Sequence, residues 1–184
     1  MEQLPTFRYH PDPIKTGSIV PSENACRVCG RKRGYIYAFS VYGPIETEDL
    51  AQHLCPWCIA DGSAHEKFDI SFVDYLCNSH IAVPQIPSHV FDEIRFRTPG
   101  FAGWQSECWW THHDDGAAFL GVMGFKELSA IGDDAVDAIR RSIDFLSGDD
   151  REEFIRGLHV DGGSSAYLFQ CLHCQMYGGY VDFL

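Results

Sequence analysis

The chain has 184 residues and a formal charge of -12, from 14 Lys and Arg against 26 Asp and Glu. With 45% apolar and 14% aromatic residues it can fill a sizeable core, which excludes global disorder. Its acidity argues against wrapping nucleic acid, because phosphate neutralisation needs clustered Lys and Arg.

Residues 1–21, with Pro5, Pro11, Pro13 and Pro21, read as an extended lead-in with Phe7 and Tyr9 packed down. Met1–Pro13 lacks the apolar stretch of a signal peptide. No run approaches the roughly 18 apolar residues of a membrane span. The expected location is the cytoplasm, with no membrane partner. Cys26–Gly34 reads as a tight turn and Tyr35–Tyr42 as a strand, ended by Gly43-Pro44. Thr47 is the expected cap of a short helix, Glu48–His53. Asp61-Gly62-Ser63 forms a turn, and Ala64–Asp69 is expected to be helical.

Asn78–Pro87 reads as a loop. Ser88 caps a predicted helix through Arg97 that turns Val90, Phe91 and Ile94 inward, and Thr98-Pro99-Gly100 stops it. Trp104–Trp110 is dense in aromatics. Strand alternation puts Trp109 and Trp110 on opposite sides, so one of them is expected at the surface or an interface. A polar turn, Thr111–Gly116, precedes an apolar strand, Ala117–Met123.

Residues 126–157 read as helical, with Val136, Ile139, Ile143 and Leu146 on one face. Ser147-Gly148 separates a second helix near Asp150–Leu158. Tyr167–Gln170 and Met176–Phe183 form a strand and its return around the turn Cys171–Cys174. The fold class is α+β. A zinc-ribbon-like module at 1–75, with two C-x-x-C knuckles, packs on a small antiparallel sheet plus helices. An α+β module follows at 76–184, either separate or continuous with the first.

Six of the eight cysteines fall in C-x-x-C pairs: Cys26/Cys29, Cys55/Cys58 and Cys171/Cys174. Two residues between thiolates let both sulfurs face one ion, and two such pairs give closed tetrahedral zinc ligation. Gly30 supplies the left-handed backbone that such a knuckle needs. Arg27, Arg31, Lys32 and Arg33 can offset the -2 charge of a zinc–tetrathiolate centre. Cys55-Pro56-Trp57-Cys58 resembles a glutaredoxin-type redox motif, but the polar helical segment before it is not the strand that such a motif follows. The pair Cys171/Cys174 lacks a fourth C-x-x-C. Its best partners are His112 and His113; Cys108, Asp114, Asp115, Cys77 and His80 are alternatives. One zinc is expected, with a second at this site. His173, inside the knuckle, is expected to face solvent.

The charge is uneven: residues 1–45 carry +3 and residues 46–184 carry -15. Asp133, Asp134, Asp137, Asp144, Asp149, Asp150, Glu152 and Glu153 crowd the predicted helices. Such a face keeps a protein soluble, and it can also hold a basic protein by complementarity. No P-loop, dinucleotide, zincin or nucleophile-elbow motif occurs.

Leu4-Pro5-Thr6-Phe7-Arg8-Tyr9-His10-Pro11-Asp12-Pro13 resembles the opening of the CbrC-like bacterial proteins. Cys55–Ala64, Arg97–Phe101, Gly103-Trp104-Gln105 and Cys171–Cys174 continue the likeness over nearly the whole chain. In that family the turn near 112–113 often reads His-Cys, so His113 here stands in for a Cys. The family's name carries an association with tolerance to a nuclease colicin. The resemblance therefore implies a non-enzymatic immunity or tolerance protein, with zinc as scaffold and the eight acids facing a basic toxin domain. Two alternatives stand beside it. One is a zinc-dependent hydrolase using His112, His113 and a cysteine. The other is a zinc-ribbon adaptor using the basic cluster near Arg31.

Overall fold

The computed structural model describes residues 2–44, 47–78, 81–82, 86–103, 107–161 and 163–183. Within them the fold is α+β, with three small sheets and six α-helices among the described residues. Strand β1 (Ile19–Pro21) lies in the lead-in and pairs antiparallel with β2 (Tyr35–Tyr37). The strand expected over Tyr35–Tyr42 is thus cut short. Beyond Tyr37 the Ala38 N–H still donates to the Ser18 carbonyl at 2.9 Å, and an isolated bridge joins Tyr42 to Ser71. The expected helix Glu48–His53 is a single 3-10 turn over Thr47–Leu50. Helices α1 (Pro56–Ala60) and α2 (Ser63–Phe68) follow.

Strands β3 (Tyr75–Asn78) and β4 (Ile81–Ala82) occupy a stretch expected in part as loop; α3 (Ser88–Arg97) ends where expected, but Pro87 and not Ser88 is its N-cap. Then β5 (Cys108–His112) and β6 (Asp115–Gly116) complete a sheet of order β4-β3-β5-β6. Strands β3 and β5 run parallel, pairing Tyr75 with Cys108. Trp109 and Trp110 are both buried, 0% and 8% exposed. Opposite sides of β5 do not mean one wet side, because both faces of this strand are covered. Trp104–Ser106 and His80 lie outside the described residues.

Strand β7 (Ala118–Met123) pairs with β8 (Ser164–Gln170), which pairs with β9 (Tyr177–Phe183), all antiparallel. Helices α4 (Phe125–Ile131), α5 (Asp133–Ser142) and α6 (Gly148–Arg156) pack on this sheet. The expected continuous helix breaks at Gly132, whose φ of 139° is open only to glycine at low cost. The α4 start is held by the Glu127 carboxylate, which accepts from the Gly124 N–H at 3.0 Å. Val136, Ile139 and Ile143 are buried as periodicity requires, although α5 ends at Ser142. Each such aliphatic side chain contributes about 1.5–3 kcal/mol on burial.

The core falls into three clusters. One gathers Phe7, Ile19, Tyr37, Leu54, Ile59 and Phe72 around Cys26, Cys55 and Cys58. The second is aromatic, built on Trp109, Phe101, Phe119, Phe169, Tyr9 and Tyr167. The third lies between α4–α6 and the β7-β8-β9 sheet.

His10 is a buried polar member of the core, fully covered, with Nδ1 at 2.8 Å from the Pro99 carbonyl and Nε2 at 2.6 Å from Thr16 Oγ1. Its ring meets Trp109 and Phe119 edge-on. Desolvation pushes its pKa from 6.5 down to about 4. Between these values the unfolded chain binds a proton that the native chain refuses, so stability falls as pH falls. The loss accumulates to about 3 kcal/mol by pH 4. Replacing His10 by Gln should flatten this part of the profile. Denaturant midpoints of the two proteins between pH 7.5 and pH 4 check it; a constant gap between them at every pH would refute the assignment.

Candidate metal centres

Cys26, Cys29, Cys55 and Cys58 come together with their sulfur atoms all within 4.8 Å of one another. The first pair sits on a knuckle hairpin. The Cys26 N–H donates to the Arg31 carbonyl at 2.9 Å, and the Gly30 N–H donates to the Cys26 carbonyl at 2.8 Å. Gly30 has φ 71°, the left-handed turn the sequence anticipates. The second pair is not on a second knuckle but at the start of α1. Cys55 is the N-cap in extended conformation and Pro56 fixes the first helical φ, which aims both sulfurs at the knuckle.

Cys26 Sγ accepts the N–H of Val28 at 3.4 Å and of Cys55 at 3.3 Å. A hydrogen bond from Cys55, with these amides, holds the Cys26 thiol down to about 4 despite its burial. Donating that bond, and burial, push Cys55 well above the ordinary thiol value. Burial pushes Cys58 up to about 11. Without metal the cluster thus keeps protons that an ion must displace, so affinity rises with pH. Four soft sulfurs, three of them buried, suit zinc and leave no position for water.

The basic residues divide their work. Arg33 stacks over Trp57 at 4.8 Å, pairs with Glu2 at 3.1 Å and faces the Cys55 sulfur. It offsets thiolate charge and is no longer part of an exposed patch, whereas Arg31 and Lys32 remain exposed. Lys67, which sequence reasoning missed, donates from Nζ to the Arg27 and Val28 carbonyls at 2.8 and 3.1 Å. Its signal in the sequence is only its place on a helix that follows the second pair.

A second group forms where two turns meet. His112, His113 and Cys174 offer ligand atoms within 4.8 Å of one another, with His112 Nδ1 3.6 Å from Cys174 Sγ. Cys171, expected with them, lies outside that group. It is buried, and its sulfur accepts the N–H groups of His173 and Cys174 at 3.4 and 3.5 Å. Burial and the neighbouring His113 and His173 push His112 below its ordinary pKa, towards the neutral imidazole that ligates metal. Of the alternatives weighed for this site, Cys108 is disulfide-bonded.

Asp115 is the hub beside this group, not a member of it. Its carboxylate accepts from Arg8 at 2.5 Å, Tyr9 Oη at 2.7 Å, the Gly116 N–H at 2.8 Å, and lies 2.8 Å from His173 Nε2. Burial would raise its pKa, but Tyr9, His173 and the Arg8 charge outweigh that and hold it below the usual carboxylate range. His173 is half exposed, as expected, yet it is tied down by this contact.

The eight acids sit on α5, on α6 and on the link between them. Asp133, Asp134, Asp144, Asp149, Asp150 and Glu153 are exposed. Asp137 and Glu152 are half-buried and occupied by Arg140, which bridges α5 to α6; its Nε and Nη2 reach the Glu152 carboxylate at 2.7 and 3.0 Å. Phe145 stands among the acids, 53% exposed. No helix among the described residues is long and apolar enough to cross a membrane.

No solved structure matches the chain. UPF0167 proteins of Mycobacterium bovis and Mycobacterium tuberculosis are each 46% identical to it over 186 residues, covering 99% of this chain and 95% of theirs. A UPF0167 protein of Pseudomonas aeruginosa is 38% identical over 172 residues, covering 93% and 92%. Residues 4–183 match the family described as Uncharacterised protein family (UPF0167), and the chain belongs to that family.

Proposed function

We propose that this is a cytoplasmic, non-enzymatic zinc protein that docks a basic protein through the acidic α5–α6 face. The four-thiolate centre supplies rigidity, not chemistry, because a closed tetrahedral shell has no position for substrate. The observation that carries the docking role is the set of six exposed carboxylates on α5, α6 and the link between them, which also carries the exposed Phe145. Phe145 packs edge-on against Phe154 at 5.7 Å and still leaves half of its surface to solvent, which gives the charged face an apolar contact point. Nuclease toxin domains are basic because they bind phosphate, and the likeness to the CbrC-like proteins points to that class of partner.

Binding to a purified basic nuclease domain should weaken steeply as salt rises from about 50 to about 300 mM. A triple substitution, Asp149→Lys, Asp150→Lys and Glu153→Lys, should raise Kd at least about tenfold, or about 1.4 kcal/mol. Calorimetry at two ionic strengths reads both. A protein that binds no such domain, and does not protect cells expressing one, would end this reading.

A further inference from the structure

We infer that the chain holds a second zinc ion, ligated by His112, His113, Cys171 and Cys174, which staples the β5–β6 hairpin to the β8–β9 hairpin. This inference is independent of the docking role. It rests on a repeated backbone device.

The Cys171–Met176 turn reproduces the Cys26–Arg31 knuckle bond for bond. In both, the first Cys N–H donates to the carbonyl five residues on, at 2.9 Å in each. In both, the residue after the second Cys donates to the first Cys carbonyl, at 2.8 Å for Gly30 and 3.1 Å for Gln175. In both, the N–H two residues on donates to the first sulfur at 3.4 Å. Both have a left-handed residue after the second Cys, Gly30 at φ 71° and Gln175 at φ 62°. Cys26 accepts amide bonds while belonging to the four-sulfur group, so the amide bonds to Cys171 do not remove it from a ligand set; its sulfur lies outside the group of His112, His113 and Cys174 here and must move in to complete the shell.

Glycine adopts the left-handed turn at little cost, but Gln does not, at about 1–2 kcal/mol. The facing turn is left-handed as well, with His113 at φ 56° and Asp114 at φ 55°, residue types that adopt this region more readily than Gln. Three of the five non-glycine residues with positive φ among the described residues therefore lie on these two turns. Strain of this kind persists where surroundings over-determine it. A shared ion does so, since the turn at His113 brings its imidazole to Cys174 and His112. Two imidazoles and two thiolates form a closed zinc shell, which leaves no site for a metal-bound water. The staple joins the β4-β3-β5-β6 sheet to the β7-β8-β9 sheet.

Metal analysis of the full chain, purified with zinc and without chelator, tests it. The wild type should carry two zinc per chain. His113→Asn is the decisive variant, because Asn tolerates the left-handed turn but is a poor zinc ligand; it should carry one. Asp114→Asn should still carry two. Cys171→Ser should carry one, and Cys174→Ser, at an exposed position, reads the same knuckle if the buried variant does not fold. One zinc in the wild type, or two in His113→Asn, would overturn the site. Two in Cys171→Ser with one in His113→Asn would overturn the closed shell in favour of an open, three-ligand ion.

Discussion

Replacing Cys55 by Ser is expected to collapse the N-terminal core cluster, with a stability loss of more than about 5 kcal/mol. Structural zinc in small finger domains has an apparent binding free energy of about 10–16 kcal/mol. That is as large as the total stability of most domains, about 5–15 kcal/mol. Here Cys26, Cys55 and Cys58 are themselves core residues, 1–3% exposed and clustered with Leu54, Ile59 and Phe72. Losing the ion leaves buried thiols with unmet charge and proton demands, in the middle of that cluster. Cys29 is exposed, so Cys29→Ser should cost less and yield a protein that binds zinc weakly but still folds in excess metal. Near-ultraviolet circular dichroism and protease resistance, with and without a chelator, separate these cases. A metal-free wild type with an unchanged melting transition would refute a structural ion here.

The four-thiolate centre was legible from spacing alone, because a metal ligand needs residue type and reach more than it needs fold. The second C-x-x-C pair shows where that reading stops. Spacing brings both sulfurs to one ion, but Pro56 decides that they do so from a helix start. Periodicity likewise found the buried face of α5, whose residues repeat at the helical interval, and missed the break at Gly132. That glycine is needed for its φ alone, which no pattern of apolar residues reports.

Non-local contacts were the least visible. Asp115 is one of 26 acidic residues, and nothing near it in sequence announces Arg8, Tyr9 and His173 as partners. His10 stands in a Pro-rich lead-in yet is a core residue, because that segment lies against β7: the Tyr9 carbonyl accepts the Phe119 N–H at 2.8 Å. The parallel pairing of β3 with β5 was beyond local reading for the same reason, since it joins segments about thirty residues apart through a long crossover.

Trp109→Ala is expected to destabilise the protein by about 3–5 kcal/mol, the range for deleting a large buried aromatic. The ring is fully buried and lies among Phe101, Phe119 and Phe169, with centroids 5.5, 6.2 and 5.8 Å away at tilted or edge-on angles. Such contacts add to area burial about 0.5–1.5 kcal/mol per pair. Its Nε1–H also donates to the Ala117 carbonyl at 2.9 Å, in a buried position. Trp109→Phe separates the two contributions. It keeps much of the aromatic packing but orphans that carbonyl, a loss of about 1–3 kcal/mol. The order wild type, Phe, Ala in denaturant midpoint, with zinc content unchanged, is the expected result. If the Phe variant equals the wild type, the indole hydrogen bond contributes nothing and packing alone sets the position. If the Ala variant also loses zinc, the aromatic cluster and the metal centres fold as one unit, and the core clusters cannot be treated as separable.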